Sequence, residues 1–173
     1  MRTKIVFEHL VLLSEEELLS QCRLWRTRRT GPGGQHRNKV ETAVVIEHLD
    51  TGIRGEASER RRQVENRRVA FLRLQVNLAI AVPGTWRGDC LMSPTWAKRC
   101  AGGYIRVSAR HADYPALLAE AMTVIGEVGL EMKQAADRLE VTTSQLLKFV
   151  KTQPRAWASL NGRRREIGLS TFK

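Results

Sequence analysis

The stretch from residue 42 to residue 82 constrains the fold more than any other part of the sequence. Residues 42–49 are rich in β-branched side chains and alternate in polarity, 50–52 (Asp-Thr-Gly) form a turn signal, and 53–57 are extended again. This pattern predicts a β-hairpin. Ser58 is expected to cap a long helix that ends near Val82 and packs an apolar stripe on the hairpin. The stripe comprises Val64, Phe71, Leu74 and Leu78. The predicted fold class is α+β.

The residues before this stretch complete a first predicted domain, residues 1–82. Ser14 followed by Glu17 is a capping-box pattern and predicts a short helix that ends near Cys22. Residues 23–28 are then expected to form a strand. Between this strand and the hairpin lies Thr-Gly-Pro-Gly-Gly-Gln at 30–35, where glycine and proline exclude regular structure.

The rest of the chain divides into a connector, 83–112, with one strand expected at 104–109, and a helical region, 113–173. Four helices are expected, at about 115–128, 132–139, 144–151 and 154–167. The expected core residues are Leu117, Leu118, Leu139, Leu146, Leu147, Phe149, Trp157 and Leu160. Residues 133–147 resemble a helix-turn-helix, although Glu140 stands where a turn glycine is expected. Three roles stay open for this segment: docking on a core or partner, contact with RNA or a ribosomal protein, and reading of DNA.

The charge of the chain indicates a polyanionic partner. The formal net charge is +11, and residues 23–39 contain six Lys/Arg and no acid. A second basic group follows at Arg60, Arg61, Arg62, Arg67 and Arg68. A membrane surface is disfavoured because no Trp/Phe stripe accompanies these charges.

The cysteines and apolar segments indicate a cytoplasmic protein. Cys22, Cys90 and Cys100 lack CxxC spacing, which argues against a disulfide framework and a zinc site. We expect no metal, no cofactor, no signal peptide and no membrane span.

The conspicuous local feature is the segment from Gly31 to Lys39. Its glycines allow a close backbone approach to a ligand, and the flanking basic residues can hold a phosphate backbone. It is not a P-loop, because GxxxxGK[ST] is absent. By itself, a glycine-rich loop is equally compatible with an exposed turn.

Three motifs in order carry a resemblance to a known family. Gly-Pro-Gly-Gly-Gln-His-Arg-Asn-Lys-Val-Glu-Thr-Ala-Val at 31–44 resembles the catalytic loop and following strand of class-I peptide chain release factors and their short rescue relatives. The likeness continues through the turn at 48–53. Residues 61–67 are similar to the family's Arg-Ser-Gln-His-x-Asn-Lys. The resemblance as a whole covers about residues 14–82. Arg37 stands where valine is usual, and Arg62 and Val64 replace a Ser and a His.

The resemblance implies peptidyl-tRNA hydrolysis with Gly33, Gly34 and Gln35 as the catalytic residues. The glycines would shape a tight turn, the Gln35 N–H would donate to charge developing on the ester, and its side chain would favour water as nucleophile. The implied partners are the ribosome, through large-subunit rRNA and peptidyl-tRNA, and a Gln N-methyltransferase acting on Gln35. The RNA-binding residues expected from charge and resemblance are Arg28, Arg29, His36, Arg37, Lys39, Arg60, Arg61, Arg67, Arg163, Arg164 and Arg165.

The position of the loop favours hydrolysis without codon recognition. Release factors read stop codons with domains that precede this loop, whereas 30 residues precede Gly31 here. Ser93-Pro94-Thr95 resembles the family's codon-reading tripeptides but follows the loop, so we expect coincidence. The alternative function is a non-catalytic RNA- or DNA-binding module that uses the helix-turn-helix-like segment.

Overall fold

The computed structural model describes residues 6–27, 43–87 and 92–173. The chain divides into two compact units, Leu13–Leu78 and Met1–Leu12 with Ala79–Lys173. The strands are β1 Val6–Glu8, β2 Cys22–Thr27, β3 Ala43–His48, β4 Arg54–Ala57, β5 Thr85–Arg87, β6 Cys100–Ala101 and β7 Tyr104–Ile105. The helices are α1 Glu15–Ser20, α2 Gln63–Ala81, α3 Pro94–Arg99, α4 Tyr114–Glu127, α5 Met132–Arg138, α6 Thr143–Lys151 and α7 Pro154–Glu166. This mixture confirms the α+β class.

The Leu13–Leu78 unit is a three-stranded antiparallel sheet, ordered β2-β3-β4, with α1 and α2. The capping box is confirmed: the Ser14 hydroxyl accepts from the Glu17 N–H at 3.2 Å, and the Glu17 carboxylate accepts from the Ser14 N–H at 2.8 Å. The predicted hairpin is also confirmed, as β3 and β4 pair across a turn in which Gly52 has φ +66°. Glycine adopts this left-handed conformation without the cost that a side chain adds.

Helix α2 packs on the sheet at an unusually close contact with β4. A Cβ placed on Gly55 would lie 2.1 Å from the Ala70 carbonyl oxygen, so strand and helix backbones touch there. Leu74 and Leu78 are buried, as predicted. Val64 is 64% exposed, so the predicted stripe is wrong at its first member. Val64 lies about 9 Å along the helix before Ala70, away from the region that meets β4.

The start of α2 differs from the prediction that Ser58 caps it. The helix begins at Gln63, and the buried Asn66 side chain binds the backbone of Arg60 on both sides. Its amide oxygen accepts from the Arg60 N–H at 2.9 Å, and its amide nitrogen donates to the Arg60 carbonyl at 3.0 Å. The Ser58 N–H is satisfied by the Glu59 carboxylate at 2.8 Å. These bonds replace helical ones, and the first helical residue is Gln63 rather than the residue after Ser58.

The connector expected at 83–112 has more structure than its composition indicates. Helix α3 contains Trp96, which is fully buried and donates its indole N–H to the Leu139 carbonyl at 2.9 Å. The strand predicted at 104–109 is confirmed only as β7, because its partner β6 has two residues. The Arg106 N–H bonds the Arg99 carbonyl at 2.9 Å, and the chain then turns through 108–113.

The four predicted C-terminal helices are confirmed as α4 to α7. Of the expected core, Leu147 and Trp157 are half-buried and the others are buried. The helix-turn-helix arrangement is present as α5 and α6. Glu140 adopts φ +54°, so the turn has the backbone conformation for which glycine was expected. The Thr142 hydroxyl caps α6 by accepting from the Gln145 N–H at 3.2 Å.

Candidate functional site

Strands β2 and β3 hold the two ends of the glycine-rich segment together. They pair antiparallel from Cys22 opposite His48 to Thr27 opposite Ala43. The chain leaves β2 at Thr27 and enters β3 at Ala43, so residues 28–42 start and finish at one end of the sheet. Both Ala43 and the next residue, Val44, are buried, which fixes the end of β3 in the core.

The catalytic residues predicted from the sequence lie on this segment, outside the described residues. The same holds for part of the predicted RNA-binding set. These predictions concern Gly33, Gly34 and Gln35, and Arg28, Arg29, His36, Arg37 and Lys39. For all of them the structure fixes the attachment points at Thr27 and Ala43.

At the opposite end of the sheet, a buried histidine stabilises the hairpin. His48 is 1% exposed, and its Nε2 lies 3.2 Å from the Gln21 side-chain oxygen. Its Nδ1 lies 3.0 Å from the Thr51 hydroxyl. The Gln21 side-chain oxygen accepts from Nε2–H, and Nδ1 is hydrogen-bonded to the Thr51 hydroxyl. His48 therefore has a structural role in which it links the turn to the end of α1.

The outer face of the sheet carries a cation–π cluster that the sequence analysis missed. The guanidinium groups of Arg23 and Arg54 lie 5.7 Å and 5.4 Å from the centre of the Trp25 ring. Arg54 also pairs with Glu47 at 3.0 Å. Arg23 and Trp25 alternate along β2 and so share one face. This alternation is the signal in the sequence that could have indicated a basic aromatic surface.

The basic group at the start of α2 forms an exposed arginine cluster. Its members are Arg60, Arg61, Arg62, Arg67 and Arg68. None of them makes an ion pair with another described residue. Arg73, two turns further on, differs because Glu59 binds its guanidinium and the Glu56 carbonyl accepts from it at 2.7 Å. The free charge is therefore concentrated at the N-terminal end of α2, where the chain comes from β4.

The three arginines predicted to form a basic C-terminal end have different environments. Arg164 is 7% exposed, donates to the Leu130 and Ser170 carbonyls, and lies 4.1 Å from the Phe172 ring centre. Arg163 is half-buried and lines a cavity of about 480 Å³ beside Gly126. Arg165 is exposed. The structure thus uses Arg164 to join the chain end to α7, and leaves Arg165 accessible.

The serine of the Ser93-Pro94-Thr95 tripeptide is hydrogen-bonded to a buried carboxyl group. Glu120 accepts from the Ser93 N–H at 2.7 Å and from its hydroxyl, while that hydroxyl also accepts from the Trp96 N–H at 3.0 Å. Ser93 is therefore the cap of α3. Burial raises the pKa of Glu120, against the opposing effect of its hydrogen bonds with Ser93. Burial, with the Glu120 charge, also raises the pKa of the Cys100 thiol to about 12, so this thiol is protonated at neutral pH.

Within the described ranges, no group of three His, Cys, Asp or Glu residues is placed to hold a metal ion. No helix found there has the length and apolar character to cross a membrane. The described part of the chain therefore presents basic surfaces joined to a loop between two strands. Such surfaces can bind a phosphate backbone through charge-assisted hydrogen bonds.

Known proteins are similar to the segment that contains these features. Residues 18–82 match the RF-1 domain model. The chain is 46% identical over 54 residues to the chloroplastic peptide chain release factor PrfB1 of Arabidopsis thaliana, covering 31% of this chain and 12% of that protein. It is 42% identical over 69 residues to peptide chain release factor 1 of Malacoplasma penetrans, covering 38% and 19%. It is 45% identical over 51 residues to the mitochondrial peptide chain release factor 1-like protein of Mus musculus, covering 30% and 14%.

The chain spans less than a fifth of the length of these relatives. No solved structure matches the chain. The matched residues run from the end of α1, through β2, β3 and β4, to the end of α2, and include the segment that joins β2 to β3. Residues 18–82 therefore match the RF-1 domain and are similar to a segment of peptide chain release factors.

Proposed function

We propose that this protein hydrolyses the ester bond of peptidyl-tRNA on the ribosome, without reading a stop codon. One observation carries the proposal: Gly33-Gly34-Gln35 stands, intact, on the segment that joins β2 and β3 of an RF-1 domain. The relatives that share this domain are named peptide chain release factors. The proposed site of action is a ribosome in the cytoplasm.

In the proposed mechanism, the protein supplies a preorganised backbone donor. Gly33 and Gly34 form a turn narrow enough to approach the ester, and the Gln35 N–H donates to the oxygen on which charge develops. A donor of this kind typically contributes a factor of about 10²–10³ in rate. The Gln35 side chain limits the space beside the ester so that water attacks. The acyl–oxygen bond breaks, the peptide leaves as a carboxylic acid, and the tRNA ribose regains its hydroxyl group.

The exposed arginine cluster of α2 supports the proposed binding to rRNA. Arg60, Arg61 and Arg67 lie in the same unit as the loop, and none is paired with a described acid. Each phosphate contact releases condensed counterions, so binding becomes strongly dependent on salt. At the chain end, Arg165 has an accessible side chain for this role, whereas Arg164 is held by backbone carbonyls.

The environment of Ser93 supports codon-independent action. A tripeptide that reads a codon needs a free serine hydroxyl at an exposed position. The Ser93 side chain is instead bound to Glu120 and to the Trp96 N–H, and the residue is 9% exposed. The family-like tripeptide is thus occupied with capping α3.

The test is peptide release from purified ribosomes that carry peptidyl-tRNA. The mRNA either ends in the P site, extends well past it, or places a stop codon in the A site. We expect release from the complex whose mRNA ends in the P site. We expect that no release requires the stop codon. Release that occurs only with a stop codon would contradict codon independence.

Gln35→Ala and Gly34→Ala are expected to abolish most peptide release. Ribosome binding, measured by sedimentation, should stay near the natural level. Gln134→Ala, which changes an exposed glutamine in α5, is the matched control and should release normally. Binding that falls in parallel with release would contradict the catalytic role. Peptide mass mapping of the natural protein would show whether Gln35 is methylated, as expected for a methyltransferase substrate.

A further inference from the structure

A two-stranded hairpin is attached to the turn of the helix-turn-helix. Strands β6 and β7 are joined by Gly102 and Gly103, both in the left-handed region with φ +61° and +81°. Gly103 bridges to Val141, and its carbonyl accepts from the Thr142 N–H at 3.1 Å. Since Thr142 caps α6, the hairpin is fixed at the first turn of that helix.

The hairpin exposes an aromatic ring beside a free cation. Tyr104 is 56% exposed, and its ring contacts no other aromatic ring or cation among the described residues. Arg106 follows two positions later and is exposed. Arg106 lies one residue beyond β7, and its N–H donates to the Arg99 carbonyl at 2.9 Å, which continues the antiparallel pairing. Side chains two positions apart in such an extended segment point to the same side. The ring and the guanidinium group therefore share one face.

Two further exposed cations lie on the elements next to this hairpin. Lys98 is in the last turn of α3, directly before β6, and Lys148 is on α6, which contacts β7. Neither lysine nor Arg106 makes an ion pair with a described residue. We name Lys98, Tyr104, Arg106 and Lys148 the hairpin surface.

The acids around the hairpin surface leave its positive charge largely uncompensated. Residues 92–173 contain 13 Lys/Arg and 7 Asp/Glu. Asp113 pairs with Arg99 at 2.8 Å, Glu127 pairs with Arg138 at 2.6 Å, and Glu120 is buried. Glu140, in the turn, is the exposed acid next to the hairpin attachment. A polyanion is thus the favoured partner of this surface.

We propose that the hairpin surface binds single-stranded RNA, with an unpaired base stacked on Tyr104 and phosphates held by Lys98, Arg106 and Lys148. An exposed ring among cations matches the way in which proteins bind unstacked bases. Duplex DNA reading fits less well, because α6 carries no Arg or Asn, its Gln145 is half-buried, and base contacts would rest on Lys148 and Lys151. An exposed ring such as Tyr104 stacks on unpaired bases, which an intact duplex does not present. This RNA contact is separate from ester hydrolysis and does not require it.

The experiment measures binding of the full chain to a fluorescently labelled oligouridine of about 12 nucleotides, a length within the range of single-strand sites. Arg60, Arg61 and Arg67 are replaced by Ala in all proteins compared, which weakens binding by the arginine cluster of α2. Tyr104→Ala is expected to weaken binding by about tenfold, whereas Tyr104→Phe, which keeps the ring, binds as before. Arg106→Ala should reduce the salt slope by about 0.7, and Arg106→Lys should not.

The proposal is overturned if Tyr104→Ala binds the oligouridine as the parent does, or if a DNA duplex of equal length binds more tightly. It is also overturned if Tyr104→Ala weakens ribosome binding alone, since the surface would then contact a ribosomal protein. Thermal unfolding of each variant separates loss of binding from loss of fold. If the proposal is right, Gln35→Ala loses peptide release but still binds the oligouridine. An error in the proposed hydrolysis and an error in the proposed RNA binding therefore give different results.

Discussion

Replacing Gly55 by alanine tests whether the sheet and α2 touch through their backbones. The added methyl group would lie 2.1 Å from the Ala70 carbonyl oxygen and 2.3 Å from the Leu74 nitrogen. Both atoms belong to the helix backbone, so no side-chain rotation relieves the contact. Carbon reaches favourable contact at about 3.5 Å, which means that strand and helix must separate by more than about 1 Å.

The expected cost follows from this separation. Overpacking a core typically costs about 1–3 kcal/mol, and a gap approaching 1 Å also weakens the surrounding dispersion contacts by roughly a quarter to a half. Because both colliding groups are backbone, we expect about 3 kcal/mol, at the upper end of that range. For a domain of this size, each kcal/mol lowers Tm by roughly 4–8 °C, so the loss is roughly 12–24 °C in the Leu13–Leu78 unit.

The assay is thermal and urea unfolding of Gly55→Ala beside Gly162→Ala. Gly162 lies within α7 with no atom within 4 Å of an added Cβ, so the same change there removes a poor helix former without a collision. It should stabilise the protein by about 1 kcal/mol. If Gly55→Ala unfolds at the natural temperature, the close approach of β4 and α2 is incorrect. Peptide release should fall with the stability of the unit, because its sheet holds both ends of the loop.

Two other predictions concern buried polar groups. Burial raises the pKa of Glu120 above its value in the unfolded chain. The contribution of this group to stability is therefore fully present at low pH, and it is lost as the pH rises from the unfolded pKa through the folded pKa. Glu120→Gln keeps one side-chain oxygen to accept from Ser93 and has no titratable group, so it should remove that decline when urea midpoints are compared from about pH 4 to about pH 8. Parallel profiles of the two proteins would refute the prediction. Asn66→Ala leaves the Arg60 N–H and carbonyl without partners and should cost about 1–3 kcal/mol. Asn77→Ala, which removes an exposed bond to the Arg54 carbonyl, is the comparison, and an equal loss in both variants would contradict the prediction.

Local patterns in the sequence were sufficient where neighbouring residues decide the structure. The Ser14 capping box, the hairpin of β3 and β4, and helices α4 to α7 form as predicted. In each case the governing interactions lie within a few residues along the chain. The RF-1 domain is also recognisable from its motifs in order, since a domain family keeps the spacing of its loop, turn and helix.

Specific side-chain and strand contacts that residue periodicity does not indicate account for the predictions that were wrong. The side chain of Asn66 binds the Arg60 backbone and moves the start of α2 from Ser58 to Gln63. The length of β7 is limited to two residues because its partner β6 has only two residues. Trp96 makes α3 part of the core through a bond to Leu139, 43 residues away. No local period in the connector indicates these partners.

For the candidate site, the order of residues supplies the Gly33-Gly34-Gln35 triplet, the basic residues around it and the resemblance that they carry. Folding sets which charges are accessible. It gives the cluster around Arg60 no ion-pair partner among the described residues, holds Arg164 on backbone carbonyls, and binds Ser93 to Glu120. The physical reason is that charge and residue type belong to each residue alone, whereas burial and hydrogen-bond partners depend on segments that only folding brings together.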